Sequence, residues 1–259
     1  MAVAESTVPE STATDNAVVV DDVSMRFRMF RERNNSFKTA LMRGRKSDHE
    51  DYWALQNVSF TVPKGTTFGI IGRNGAGKST LLKCLAKIYP TTSGSISYQG
   101  KMASMLELGS GFHPELSGRE NIYLNASILG LSRKQMDERV EDVIKFSGVP
   151  SKFIEQPVKN YSSGMYVRLG FSVAINVNPD VLVVDEILAV GDGSFKEKSR
   201  KKFIELKDSG KTVIMVSHSA KNIVEMCDSV AWLEQGRLVK VGPAKEVMDE
   251  YTAALKEDE

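Results

Sequence analysis

The stretch Gly72-Arg73-Asn74-Gly75-Ala76-Gly77-Lys78-Ser79-Thr80 constrains this chain more than any other, because it fits G-x-x-x-x-G-K-[ST] at every fixed position. Its surroundings match what the pattern needs. Thr67-Phe68-Gly69-Ile70-Ile71 reads as a short buried strand, and Leu81, Leu82, Leu85 and Ile88 recur at helical spacing behind the loop. Strand, glycine loop and helix in that order make a nucleotide-phosphate site. The glycines let backbone N–H groups turn inward as an anion cradle, and the helix N-terminus adds roughly half a positive charge. Lys78 is placed to reach the β- and γ-phosphates, and the Ser79 hydroxyl to hold Mg²⁺. A plain glycine turn with a surface lysine is the competing reading; the strand and helix on either side argue against it.

Composition narrows the class. With 259 residues, 41% hydrophobic and 26% charged, the chain has the profile of an ordinary globular protein. A net charge of +1 gives no general drive toward nucleic acid. No apolar run approaches the ~20 residues of a membrane span. Met1 to Asn16 has neither a basic nor an apolar region, so no signal peptide is expected. Cys84 and Cys227 stand in apolar surroundings and read as buried thiols of a cytosolic protein. Three histidines and two cysteines without ligand spacing argue against zinc.

Residues 1–16, rich in Ala, Ser, Thr and Glu without periodicity, read as a disordered tail. Val18–Phe27 and the alternating Val58, Phe60 and Val62 read as strands. From Arg26, near the end of the first of these, to Lys46, eight basic residues face Glu32 alone. That segment is either a solvated loop or a surface for anionic lipid headgroups or the cytoplasmic end of a membrane partner. Phe37, Leu41 and Met42 suggest a short amphipathic helix within it. Beyond the phosphate loop, a strand is expected at Ser95–Tyr98 and a helical block over about 103–177. Strands return at Val181–Val184, Thr212–Val216 and Val230–Leu233, a hairpin turns at Gln235-Gly236, and a last helix spans about Lys245–Leu255. Strands alternating with helices around a phosphate loop predict a parallel α/β core, with the helical block as an inserted lobe.

Val181–Val184 delivers Asp185 and Glu186 to the edge where parallel sheets bind ligands. Asp185 suits a Mg²⁺ partner through water, and Glu186 a base for the attacking water. Alone, the same pair reads as a helix N-cap. Ser163, in Tyr161-Ser162-Ser163-Gly164-Met165, opens a helix and fits either a phosphate contact or a simple cap. His218 follows a core strand, where a histidine is either structural or able to touch a γ-phosphate.

Taken together, these segments resemble the ATP-binding cassette (ABC) ATPase family over residues 17–250. Gly72–Thr80 stands where that family has Walker A, Val181–Glu186 where it has Walker B, and Ser162-Ser163-Gly164-Met165 where it has the Leu-Ser-Gly-Gly-Gln signature. Ala189-Val190-Gly191-Asp192 is similar to the D-loop and His218 to the switch histidine. Phe27 occupies the usual A-loop position, where an aromatic ring stacks on adenine, with Tyr52 and Trp53 as rivals; Glu107 is the nearest candidate for the Q-loop residue and a metal contact. Leu106-Glu107-Leu108-Gly109, Gly111–Ile122, Tyr161–Met165 and Glu186–Asp192 further resemble the subunits that export lipid-linked polysaccharides such as O-antigens, teichoic acids and galactans.

The resemblance implies a P-loop NTPase fold: an α/β core with a parallel sheet, an antiparallel β subdomain and an inserted helical subdomain at about 103–177. Residues 1–16 and 251–259 are the expected tails, with no C-terminal carbohydrate-binding domain. It implies ATP and Mg²⁺ as cofactors, and a homodimer in which Ser163 and Gly164 of one copy complete the Gly72–Thr80 site of the other. It also implies two copies of a polytopic permease at the cytoplasmic face of the bacterial membrane, and a lipid-linked polysaccharide as transported substrate. A soluble ABC ATPase without transport, and the ATPase of another transporter class, are the alternatives.

Overall fold

The computed structural model describes residues 15–30, 49–106, 109, 111–185, 193–217 and 219–257. In chain order the strands are β1 (Asn16–Phe30), β2 (His49–Pro63), β3 (Thr67–Ile71), β4 (Ser93–Tyr98), β5 (Met102–Ser104), β6 (Val181–Val184), β7 (Thr212–Val216), β8 (Ser229–Glu234) and β9 (Arg237–Pro243). They form two sheets. One is antiparallel, in the order β2-β1-β4; the other runs β5-β6-β7-β3-β8-β9 and is parallel except for β9.

The alternation of apolar residues decides which face of the larger sheet each one serves. Phe68, Ile70, Val181, Val183, Ile214, Val216, Ala231 and Leu233 pack toward the antiparallel sheet and α1 (Lys78–Leu85). Leu182, Val184, Val213, Met215 and Val230 point the other way. There they meet α7 (Gly193–Asp208) through Phe195, Phe203 and Leu206, α8 (Ala220–Met226) through Ile223, and the terminal helix α9 (Ala244–Glu257) through Val247 and Met248. That last helix occupies most of the expected tail 251–259.

A third core fills the helical lobe: α2 (Gly118–Ile128), α3 (Arg133–Asp137), α4 (Val140–Ser147), α5 (Ser151–Ile154) and α6 (Ser163–Asn176). Two lobe helices begin with reciprocal capping boxes, Ser117 with Glu120 and Ser132 with Gln135, each satisfying two otherwise orphaned donors. The block expected to be helical from 103 starts later than that. Met102–Ser104 belongs to the sheet, paired in parallel with Val181–Val183. The helix α6 joins the two bodies. Leu169, Val173 and Val177 enter the lobe core, whereas Phe171, Ala174 and Ile175 enter the sheet's core. Arg139 closes the far end of that helix by donating to the carbonyls of Asn176 and Val177 at 3.1 and 3.0 Å.

β1 and β2 continue pairing beyond β4. The β4 contacts end at Ser24, but the two long strands pair as far as Phe30 and His49. On this ribbon Arg26 bridges to Asp51 at 2.8 Å and lies over the Trp53 ring. The basic connection after it, 31–48, with its expected amphipathic helix, lies outside the described residues, as does the tail 1–14. Cys84 and Cys227 are buried, and burial pushes their thiols up to about 11 and about 12. Among the described residues no helix is long and apolar enough to cross a membrane.

Candidate nucleotide site

The glycine loop leaves β3 and enters α1 through backbone angles that side chains resist. Gly75 and Gly77 have φ of 81° and 101°. Gly77 also has no room: a methyl group there would stand 2.7 Å from the Ala54 carbonyl oxygen. The backbone of β2 thus leans directly on the loop. Gly77 sits at the N-cap of α1, where no side chain caps the helix. The first amides of α1 therefore remain as donors for an anion.

Lys78 is buried at 6% exposure. Its ammonium donates to the Gly72 carbonyl at 2.7 Å and the Arg73 carbonyl at 2.9 Å. A buried lysine is stable as a cation only where oxygen atoms surround it, and here the loop's own carbonyls supply them. The charge is held at the loop and not free to wander over the surface.

The loop opens on a cavity of about 340 Å³. Asn74, Gly75, Gly77, Lys78, Ser79 and Thr80 form one wall, and Asp185, directly after β6, forms another. The parallel register of β6, β7 and β3 brings Asp185 there: Val184 pairs with Met215, and Ile70 with Val216, itself on the cavity wall. A hydroxyl and a carboxylate on one cavity are hard oxygen donors of the kind Mg²⁺ takes. Among the described residues no cluster of three or more His, Cys, Asp or Glu side chains offers another metal site. The backbone cradle, the lysine and this donor pair fit a nucleotide phosphate with its magnesium.

Gly72, Arg73 and Ala76 shape the loop from outside the cavity. Ala76 is buried, and its amide donates to the Arg73 carbonyl at 3.1 Å. Phe27 does not reach the cavity wall; its ring packs edge-on against Tyr89, centroids 5.6 Å apart. Directly across the ribbon from it, Tyr52 lines the cavity with nearly half its surface exposed. Ala54 and Val216 also line it and were not anticipated from sequence. Ser163 and Gly164 are exposed at the start of α6 and take no part in this wall. Glu107, Glu186, Asp192 and His218 lie outside the described residues.

The geometry makes the base contact testable. Stacking of an aromatic ring on a nucleobase contributes about 1–3 kcal/mol. Tyr52→Ala is expected to weaken ATP binding by roughly tenfold on that scale. Phe27→Ala should leave affinity nearly unchanged while lowering the melting temperature through its lost contact with Tyr89. Titration of both variants with a fluorescent ATP analogue distinguishes the two rings, and equal affinity losses would remove Tyr52 from the role.

Residues 55–189 match the family described as "ABC transporter". The chain is 44% identical over 255 residues to the O-antigen export system ATP-binding protein RfbB of Myxococcus xanthus, covering 96% of this chain but 57% of that protein. It is 49% identical over 215 residues to the protein of the same name in Klebsiella pneumoniae, covering 83% of this chain and 85% of that one. Among solved structures, an ATP-binding cassette seen as a dimer in a post-hydrolysis state with ADP and Pi shares the fold. The TM-score is 0.68 at 19% identity, over 88% of this chain and 98% of that chain.

Proposed function

This chain belongs to the ABC transporter family, and from that premise we propose that it is the ATP-hydrolysing subunit of an exporter for a lipid-linked polysaccharide. One observation carries the ATPase reading: Lys78, Ser79 and Asp185 converge on the cavity under the glycine loop. The export reading is supported by the names of the relatives, which are O-antigen export proteins.

In this reading the loop amides and Lys78 bind the phosphates, and Tyr52 stacks on the base. Ser79 and Asp185 hold Mg²⁺, which when bound neutralises charge developing on the transferred phosphoryl group. Glu186 follows Asp185 in the chain and takes the proton of the attacking water; His218 contacts the γ-phosphate. Asp192, with the D-loop segment, and Glu107 complete the surroundings. The exposed start of α6 supports a homodimer. Ser163 and Gly164 do not line their own chain's cavity, and in this reading they complete the site of a second copy. ATP closes that dimer, hydrolysis reopens it, and the helical lobe pushes on a pair of permease subunits at the cytoplasmic face of the membrane. Residues 105–125 and 30–50 are the proposed contacts with the permease.

Co-purification of the tagged chain from membranes tests this assignment. One polytopic permease at equal stoichiometry is expected, with its gene beside glycosyltransferases. Recovery of ribosomes or DNA-bound complexes without a permease would overturn the export reading and leave the ATP site standing.

A further inference from the structure

One hydrogen bond joins the start of α6 to the segment that leaves β5. Tyr166, in the first turns of α6, donates its hydroxyl proton to the Gly109 carbonyl at 2.6 Å. Its ring meets Phe112 edge-on, centroids 5.1 Å apart at 68°. Gly109 has a φ of 79°, and a methyl group on it would collide with the Tyr166 ring. The contact is therefore built on both sides: a glycine that lets the ring close in, and a ring that carries a donor to the carbonyl it uncovers.

The same stretch of helix carries Ser163 and Gly164. Its cap is local, with the Ser162 hydroxyl accepting from the Met165 amide at 3.2 Å, and open space surrounds Gly164. Leu169 and Val173 hold the body of α6 in the lobe core. In the first turns Met165 and Tyr166 pack against the same core, and the Tyr166 hydroxyl adds a polar tie to the segment at Gly109. We propose, on the dimer reading above, that Tyr166 is a positioning residue. Through Gly109 it sets the angle at which α6 presents Ser163 and Gly164 to the nucleotide of the second copy. Phosphoryl transfer depends on placement, and displacements of about 1 Å at a distance cost as much as a hundredfold in rate.

Tyr166→Phe removes the donor and keeps the ring, so the packing against Phe112 survives. The full-length chain, Tyr166→Phe and Tyr166→Ala are compared for ATP hydrolysis, for binding of a fluorescent ATP analogue and for thermal melting. Tyr166→Phe is expected to lower kcat about fivefold, the rate equivalent of one neutral hydrogen bond. KM and analogue affinity should stay at parent values, because the phosphate loop is untouched, and the melting temperature should fall only by the roughly 2–4 °C that one lost hydrogen bond represents. Tyr166→Ala should lower kcat further at the same analogue affinity. A parent-like kcat in Tyr166→Phe would overturn the proposal, as would a kcat loss matched by equal losses of affinity and melting temperature. An inactive parent would overturn the ATPase reading and this inference with it, whereas a deficit confined to the variants bears on Tyr166 alone.

Discussion

Lys78→Ala abolishes ATP turnover: kcat/KM falls at least about a hundredfold, because pre-placed charge at a transferring phosphoryl group contributes about 3–4 kcal/mol. The expectation rests on where the ammonium sits. It is buried, and two loop carbonyls at 2.7 and 2.9 Å fix it at the mouth of the α1 helix. That placement costs no reorganisation when the phosphates arrive. Alanine also leaves the Gly72 carbonyl without the Lys78 donor and the Arg73 carbonyl with the Ala76 amide alone, at about 1–3 kcal/mol for an acceptor that water cannot reach, so some loss of thermal stability should accompany the loss of turnover. Lys78→Arg should not restore the rate, because a planar guanidinium cannot replace a compact ammonium within this tight loop. Steady-state phosphate release and analogue binding measure both effects. Turnover within threefold of the parent would place the phosphates elsewhere.

Glu186→Gln separates binding from chemistry. The amide is nearly the size of the carboxylate but takes up no proton, so hydrolysis should drop about 10²–10⁴-fold. ATP binding should persist, because Lys78, Ser79 and Asp185 are unchanged. With hydrolysis blocked, ATP should hold two copies together, and light scattering should report twice the monomer mass in ATP and the monomer mass in ADP. A monomer in saturating ATP would count against the arrangement in which Ser163 and Gly164 serve a neighbouring site.

The parts of the fold that local patterning governs were legible in the sequence. The run Val181–Val184 alternates between two cores as a buried strand must, and Gln235-Gly236 turns the β8–β9 hairpin with φ of 45° and 77°. Met102–Ser104 was not legible as a strand. Three residues are too few to show a period, and their pairing with Val181–Val183 is a long-range choice. The same limit applied at the base contact. Phe27 and Tyr52 are direct partners across the ribbon, so sequence offered both. Their separate neighbours, Tyr89 for one and the loop cavity for the other, come from how β2 seats against Gly77. The spacing of Phe171, Ala174 and Ile175 sets them on one face of α6 and Leu169 and Val173 on another, but which core each face meets follows from the lobe's placement.

That division bears on how the molecule could be taken apart. A fragment carrying only the lobe would leave Phe171, Ala174 and Ile175 facing water, and a core without the lobe would strip Leu169 and Val173. Each buried side chain of this size represents about 1.5–3 kcal/mol, against a total stability of about 5–15 kcal/mol. Neither fragment is a sound unit for expression or grafting. Exchange of lobes between relatives would have to carry α6 whole, together with the side chains that meet both its faces, so no junction of a chimaera belongs within the helix.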